Sequence, residues 1–206
     1  QHQHYVDALK QLGGNILSLP PEDSLPDSTF VEDTAFIHQG KAFLCFAKEE
    51  SRRNEVESVS KALKDHLEIL KLKPYLDGGD ILNTPEVIFA GLSNRTDASA
   101  IHFFSGLINK EIVSVRVIKG LHLKSAVSYL GKNVLLINPK RVDVDPFKNF
   151  EWIEVEEKDS YAANCLAIKN QVLMPKGYQT VGGKIRRQGF ETIELEMSEF
   201  EKADGG

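Results

Sequence analysis

The chain has 206 residues, enough to bury a sizeable core as one large domain or two small ones. Its 25 basic and 30 acidic residues give a formal net charge of −5, which offers no overall positive field to nucleic acid or to an anionic membrane surface. No apolar run approaches the roughly 20 residues that cross a bilayer, no basic-then-apolar leader opens the chain, and two cysteines without scaffold-like spacing, Cys45 and Cys165, point to a reduced, cytoplasmic setting.

In chain order, residues 5–12 read as a short helix, apolar at Tyr5, Ala8 and Leu12 and stopped by Gly13-Gly14. A short strand is expected at 15–19, then a turn bounded by Pro20, Pro21 and Pro26. Strands at 34–38 and 41–46 are joined at Gln39-Gly40, a hairpin signal. Ser51 is placed to cap a helix carrying Val56, Val59 and Leu63, and 68–72 is the strand after it. The same order recurs. Strands at 80–82 and 87–91 flank Asn83-Thr84-Pro85-Glu86, Thr96 caps a helix with Ile101, Phe104 and Ile108, and a strand follows at 112–118. A third copy pairs 122–129 with 133–137 across Gly131-Lys132 and runs through 139–150 to a strand at 152–155. A fourth pairs 165–168 with 172–174 across Lys169-Asn170, then has a Gly-rich helical piece at 182–187 and a strand at 192–197. No element is expected at the C-terminal Ala203-Asp204-Gly205-Gly206.

The turns fall near 39, 84, 132 and 170, a spacing of 45, 48 and 38 residues, and self-similarity on that scale marks a radial or stacked architecture. The opening helix and strand make the tail of a fifth copy. In a closed ring its hairpin comes from residues before Gln1 and after Gly206, so both ends read as cut. A doubly wound nucleotide-binding fold is the competitor. It expects single strands between helices and a Gly-x-Gly-x-x-Gly turn, and the sequence offers neither.

The chemistry concentrates in a few stretches. Asp27, Glu32 and Asp33 stand where the proline-bounded turn meets an apolar strand, with Phe30, Val31, Ala35, Phe36 and Ile37 around them. They are either solvated turn acids or the wall of a partly buried anionic pocket. Carboxylates crowded against apolar walls repel one another and lose solvation, so they need a cation. A planar guanidinium suits them, because its N–H fork pairs with carboxylates two bonds at a time. Asp77 precedes Gly78-Gly79, which permit close backbone approach, or simply a tight turn beside a solvated acid. His122 is expected on one strand face with Lys124 and Ala126, opposite Leu121, Leu123 and Ser125, in a structural or a catalytic role. Arg52 and Arg95 stand at equivalent helix mouths in consecutive repeats, as surface charge or as a pair aimed at a ligand carboxylate. Cys45 and Cys165 have apolar neighbours and read as buried, inert thiols. His2 and His4 lie at a frayed end, and His38, His66 and His102 read as turn or helix-surface residues.

Taken in order from Leu25 to Gly206, the segments LPDSTFVEDTA, SRR, LDGGDIL, GLSNRT, GLHLKS, AANC and SEFEKADGG resemble the dimethylarginine dimethylaminohydrolases of the guanidino-group-modifying pentein superfamily. The resemblance implies an α/β fold, a five-bladed propeller of ββαβ modules in a single domain over 1–206. Its first module would be incomplete, lacking the N-terminal hairpin strand and the C-terminal nucleophile strand. It implies hydrolysis of methylated arginine to citrulline and dimethylamine or methylamine by a nucleophilic cysteine, expected about three residues beyond Gly206. The chain alone would then be inactive. Asp27 and Asp33 would hold the substrate guanidinium, with Glu32 assisting there and shaping the site. Arg52 and Arg95 would bind the substrate carboxylate, and the backbone carbonyl of Ala203 its amino group. His122 would be the general acid/base, oriented by Asp77, and Cys165 matches a non-nucleophilic position.

The resemblance implies no metal or organic cofactor, a small-molecule substrate, no nucleic-acid or membrane partner, and a monomer or homodimer. Arginine deiminase and amidinotransferase use a similar Cys-His-acid set and remain alternatives. So do an inactive pentein that binds arginine analogues and a non-catalytic propeller of the ribosome anti-association type.

Overall fold

A computed structural model describes residues 1–205. The chain divides into two compact units, one of Ser18–Arg116 and one of Gln1–Leu17 with the residues from Val117 onward. Helix α1 (His2–Gln11) opens the chain and ends before Gly13, whose φ of +89° is a conformation that glycine adopts without a steric penalty.

Within the unit of Ser18–Arg116, strands β1 (Ala35–His38) and β2 (Lys41–Leu44) form the expected hairpin, with Ala35 opposite Leu44 and His38 opposite Lys41. Gln39 and Gly40 both take positive φ, 47° and 75°, so the turn twists with the strands it joins. Helix α2 (Val56–Leu63) crosses back, and β3 (Glu68–Lys71) adds parallel to β2. The module repeats as β4 (Ile81–Asn83), β5 (Val87–Leu92), α3 (Ala98–Ser105) and β6 (Glu111–Arg116), with β4 antiparallel and β6 parallel to β5. The two modules share a core around Phe43, Leu76, Ile88, Ala90 and Phe104, and the rings of Phe43 and Phe104 meet edge to face at 5.3 Å.

In the other unit, β7 (Val127–Gly131) pairs antiparallel with β8 (Val134–Ile137), and β9 (Glu151–Glu154) runs parallel to β8. The crossover that 139–150 supplies holds a single 3-10 turn, Asp145–Phe147, rather than a helix; Pro146 stands in its first turn. The fourth module is β10 (Leu166–Ile168), β11 (Gln171–Pro175), α4 (Gln179–Arg187) and β12 (Glu191–Leu195), in the same antiparallel-then-parallel order. The third and fourth modules share a core of Leu130, Leu136, Ile153, Met174, Val181 and Ile185, and Ala8 of α1 packs with Leu173, Leu195 and Met197.

The sheets agree with the sequence reading, and several local expectations fail for identifiable reasons. Residues 15–19 are not a strand. Ser51 lies in a 3-10 turn, Glu50–Arg52, and Glu55 rather than Ser51 precedes α2. Asp97, not Thr96, precedes α3, because the Thr96 hydroxyl is spent on the buried carboxylate of Asp80 at 2.7 Å. A short helix α5 (Ser198–Glu201) follows β12 where none was expected, its start held by the Gln1 side chain, which accepts from the Glu199 N–H at 2.9 Å. No helix among the described residues is long and apolar enough to cross a membrane.

Candidate active site

Between Leu25 and Thr34 the backbone turns repeatedly on itself. Ser28 N–H donates to Leu25 O, Phe30 N–H to Asp27 O and Asp33 N–H to Phe30 O, at 3.0, 2.9 and 3.1 Å. The last turn, Val31–Thr34, feeds β1 and sorts the three acids by environment. Asp33 is largely enclosed, with 14% of its side chain exposed, Asp27 is half-exposed at 46%, and Glu32 is exposed. The expected partial burial therefore holds for Asp33 most fully.

Asp33 is held at both oxygens. Oδ2 accepts from Arg52 Nη1 at 2.9 Å and Oδ1 accepts from the Gly79 N–H at 3.0 Å. That second bond needs the turn Gly78–Asp80 to press against Val31–Thr34, and Gly78 allows it: a Cβ there would lie 2.0 Å from the Glu32 carbonyl oxygen. Asp77, almost fully buried, consequently comes within 4.8 Å of Asp33, carboxylate oxygen to carboxylate oxygen. The Asp77 N–H donates to Thr96 Oγ1 at 3.2 Å. Asp80, with no exposed surface, accepts from Ser93 Oγ at 2.6 Å and Thr96 Oγ1 at 2.7 Å. Asp80 thus ties the turn bearing Asp77 to the loop bearing Arg95, whose own N–H donates to Ser93 Oγ at 2.9 Å.

Arg52 is buried and faces three carboxylates: Glu55, Asp33 and, at 4.0 Å, Asp27. Its Nε and Nη2 clasp Glu55 at 2.9–3.2 Å while Nη1 reaches Asp33. Burial works against the Arg52 charge, but the bonds to Glu55 and Asp33 outweigh it and raise its pKa. Burial also raises the Glu55 carboxyl above the ordinary carboxylate range; Arg52 opposes that rise, and the charges of Asp27 and Asp33 add to it. Arg95 Nη1 is buried, 3.3 Å from Glu49, and makes no hydrogen bond among the described residues. A small pocket is lined by Asp33, Thr34, Cys45, Arg52, Glu55 and Asp77.

His122 lies in the other unit, buried, with extended backbone just before a 3-10 turn, Leu123–Ser125. The alternating strand face expected for it is absent, because β7 begins only at Val127. The approach to His122 bends at Gly120 (φ +112°) and is held from the side. Ile118 and Lys119 N–H both donate to Arg141 O, at 2.7 and 3.1 Å. Glu157 accepts from Lys119 Nζ at 2.5 Å, from Arg141 Nε and Nη2 at 3.0 Å, and from Asn138 Nδ2 at 3.0 Å. Arg141 first and Lys119 next hold the Glu157 carboxyl well below the usual carboxylate range.

Ala203 is exposed in the turn after α5, its N–H donating to Phe200 O at 3.0 Å. Two residues on, Gly205 O accepts from Tyr161 Oη at 2.8 Å. Cys45 is buried and Cys165 partly so, and neither is in a disulfide. Cys165 Sγ donates to Ala162 O at 3.2 Å, and burial raises its pKa above the ordinary thiol range. Glu55 escaped the sequence reading, although an acid three residues after Arg52 at a helix start is a legible pair. Asp80 was quoted there without a role.

Asp27, Asp33, Arg52 and Asp77 are therefore brought together, anionic on balance and partly desolvated, which is an environment that attracts a planar cation. Comparison with known proteins bears on which cation. A family model described as N,N dimethylarginine dimethylhydrolase, eukaryotic, matches residues 1–206. The N(G),N(G)-dimethylarginine dimethylaminohydrolase of Pseudomonas aeruginosa is 35% identical over 213 residues, spanning 100% of this chain and 84% of that protein. Its namesake in Streptomyces coelicolor is 31% identical over 211 residues, spanning 100% of this chain and 81% of that one. A solved structure of the Pseudomonas aeruginosa protein, a cysteine-to-serine mutant complexed with citrulline, superposes with a TM-score of 0.95 at 33% identity over 100% of this chain and 83% of that one. The N-terminal domain of ArgZ superposes with a TM-score of 0.93 at 21% identity over 100% of this chain and 81% of that one. The fold is thus of the α/β pentein type. With a family model matched along its whole length and a relative at 35% identity, the chain belongs to the N,N dimethylarginine dimethylhydrolase family.

Proposed function

We propose that this chain carries the recognition and proton-transfer residues of a hydrolase that converts asymmetric dimethylarginine or monomethylarginine to citrulline and dimethylamine or methylamine. The observation that carries the reading is the whole-chain superposition on a relative complexed with citrulline. Asp27 and Asp33 hold the substrate guanidinium, with Glu32 assisting at the rim. Keeping that group cationic makes its central carbon electrophilic. Arg95, through its buried Nη1, and Arg52 take the amino-acid carboxylate. Arg52 spends three of its five N–H donors on Glu55 and Asp33, which leaves two for a ligand. The Ala203 carbonyl accepts from the substrate ammonium.

Chemistry follows by thiolate addition to the guanidinium carbon. In the role that the sequence resemblance gives it, His122 donates a proton to the departing amine as the C–N bond breaks, leaving a thiouronium adduct. It then takes a proton from the attacking water, and the C–S bond breaks to release citrulline and the thiolate, the remaining hydroxyl proton passing to solvent. Cys165 keeps its proton in its enclosed site, and Cys45 is buried beside Phe43 O. Neither suits the attacking role, which the sequence resemblance gives to a different cysteine, expected after Gly206. Product analysis of the full-length protein with asymmetric dimethylarginine, monomethylarginine, arginine and agmatine tests the reading. Citrulline from the methylated substrates in preference to arginine is expected; release of ammonia from arginine at the higher rate would reassign it as a deiminase.

A further inference from the structure

Asp33 can grip a guanidinium only if its carboxylate is aimed, and its aim depends on a residue with no assigned part in the reaction. Glu55 is buried, with 2% of its side chain exposed, in the first turn leading into α2. Both of its oxygens lie on the Nε edge of Arg52, at 3.1 and 3.2 Å, and Oε2 also takes Nη2 at 2.9 Å. A guanidinium is rigid and planar, so fixing that edge fixes the direction of the third nitrogen. Nη1 then meets Asp33 Oδ2 at 2.9 Å, leaving Asp33 Oδ1 on the Gly79 N–H at 3.0 Å. We propose that Glu55 is a positioning residue for cation recognition: it locks Arg52, and through Arg52 it sets the orientation of Asp33. Glu55 also balances the buried Arg52 charge, so that Asp33 and the more distant Asp27 are not left to balance it alone and Asp33 keeps negative charge for the ligand. A glutamine at 55 retains one acceptor but turns an N–H₂ toward the fork, which re-aims Arg52 and draws it further onto Asp33.

The inference rests on the proposed reading that Asp33 holds the substrate guanidinium, and the test separates the two. In the full-length protein, Kd by calorimetry is measured for asymmetric dimethylarginine, which is cationic at its headgroup, and for citrulline, which is neutral there. KM, kcat and Tm are measured alongside. For Glu55→Gln the Kd and KM for dimethylarginine are expected to rise about tenfold or more, the effect of weakening one charge-assisted bond. Citrulline shares the carboxylate that Arg52 takes, so its Kd should rise as well but several-fold less than that of dimethylarginine, and kcat should hold within about threefold. Equal weakening of both ligands would mean that Glu55 acts only on the shared carboxylate contact or on the fold, and would overturn the proposal. If Glu55→Gln does not fold, Glu55→Asp decides, since its shorter stem keeps the charge but slackens the clasp. A selective loss of dimethylarginine affinity supports the proposal, and unchanged selectivity overturns it. Asp33→Asn is the control on the underlying reading. Loss of affinity there with none in the Glu55 variants defeats the positioning role alone, whereas no loss in Asp33→Asn defeats the reading itself.

Discussion

The Cα of Gly78 stands so close to the carbonyl oxygen of Glu32 that a Cβ built on it would lie 2.0 Å from that oxygen. This approach lets the Gly79 N–H reach Asp33 and brings Asp77 beside it, so the absence of one carbon atom joins the two acidic segments.

Gly78→Ala should therefore cost both stability and function. The obstacle is backbone, not a side chain that can swing away, so the two turns must part. A loss of about 1–3 kcal/mol is expected from overpacking of this kind, together with a sharply raised KM for dimethylarginine. Chemical denaturation and steady-state kinetics would show both; native stability with native KM would mean the two turns do not need this contact.

Asp33→Asn removes the charge from the one acid of the opening cluster that is largely enclosed. Charge-assisted hydrogen bonds contribute about 1.5–3 kcal/mol, so KM should rise roughly 10- to 100-fold. Asp27→Asn should have a smaller effect, because its side chain is 46% exposed. The two KM values, measured side by side, check the ranking.

His122→Ala should lower kcat by roughly 10²- to 10⁴-fold, the usual yield of positioned proton transfer, with a lesser change in KM. Normal turnover in this variant would remove His122 from the mechanism.

Glu157 offers a test by pH. Its carboxyl is held below the ordinary value of 4.5 in the folded chain by Arg141 and Lys119. Ionised Glu157 therefore stabilises the fold above about pH 4.5, and that contribution is lost as pH falls toward the lowered folded value. Glu157→Gln should be less stable than the parent at pH 7, and the gap should close in acid and shrink with added salt, as the group is partly exposed. Urea titrations at pH 7 and pH 3 measure it, and a gap independent of pH and salt would contradict the assigned ion pairs.

How far these features could be read from the sequence varied with their range. Gln39-Gly40 and Gly131-Lys132 announce hairpins because turn chemistry is local, and all four modules follow from it. Thr96 misled because a hydroxyl before a helix looks like a cap, while its actual partner, Asp80, is 16 residues away and buried. Ser51 misled similarly, since a 3-10 turn ending in the buried Arg52 delays α2 to Val56. The strand face expected for His122 fails, because alternation in Leu121–Ser125 imitates a strand where the chain makes a turn. The acids of the site were visible as a cluster; the fork that orders them was not, because Glu55 becomes informative only once Arg52 is known to be buried.

The account stands or falls most directly on the products released when the full-length protein is given asymmetric dimethylarginine. Citrulline and dimethylamine in a one-to-one ratio are predicted. Absence of citrulline, with the fold intact, would contradict it.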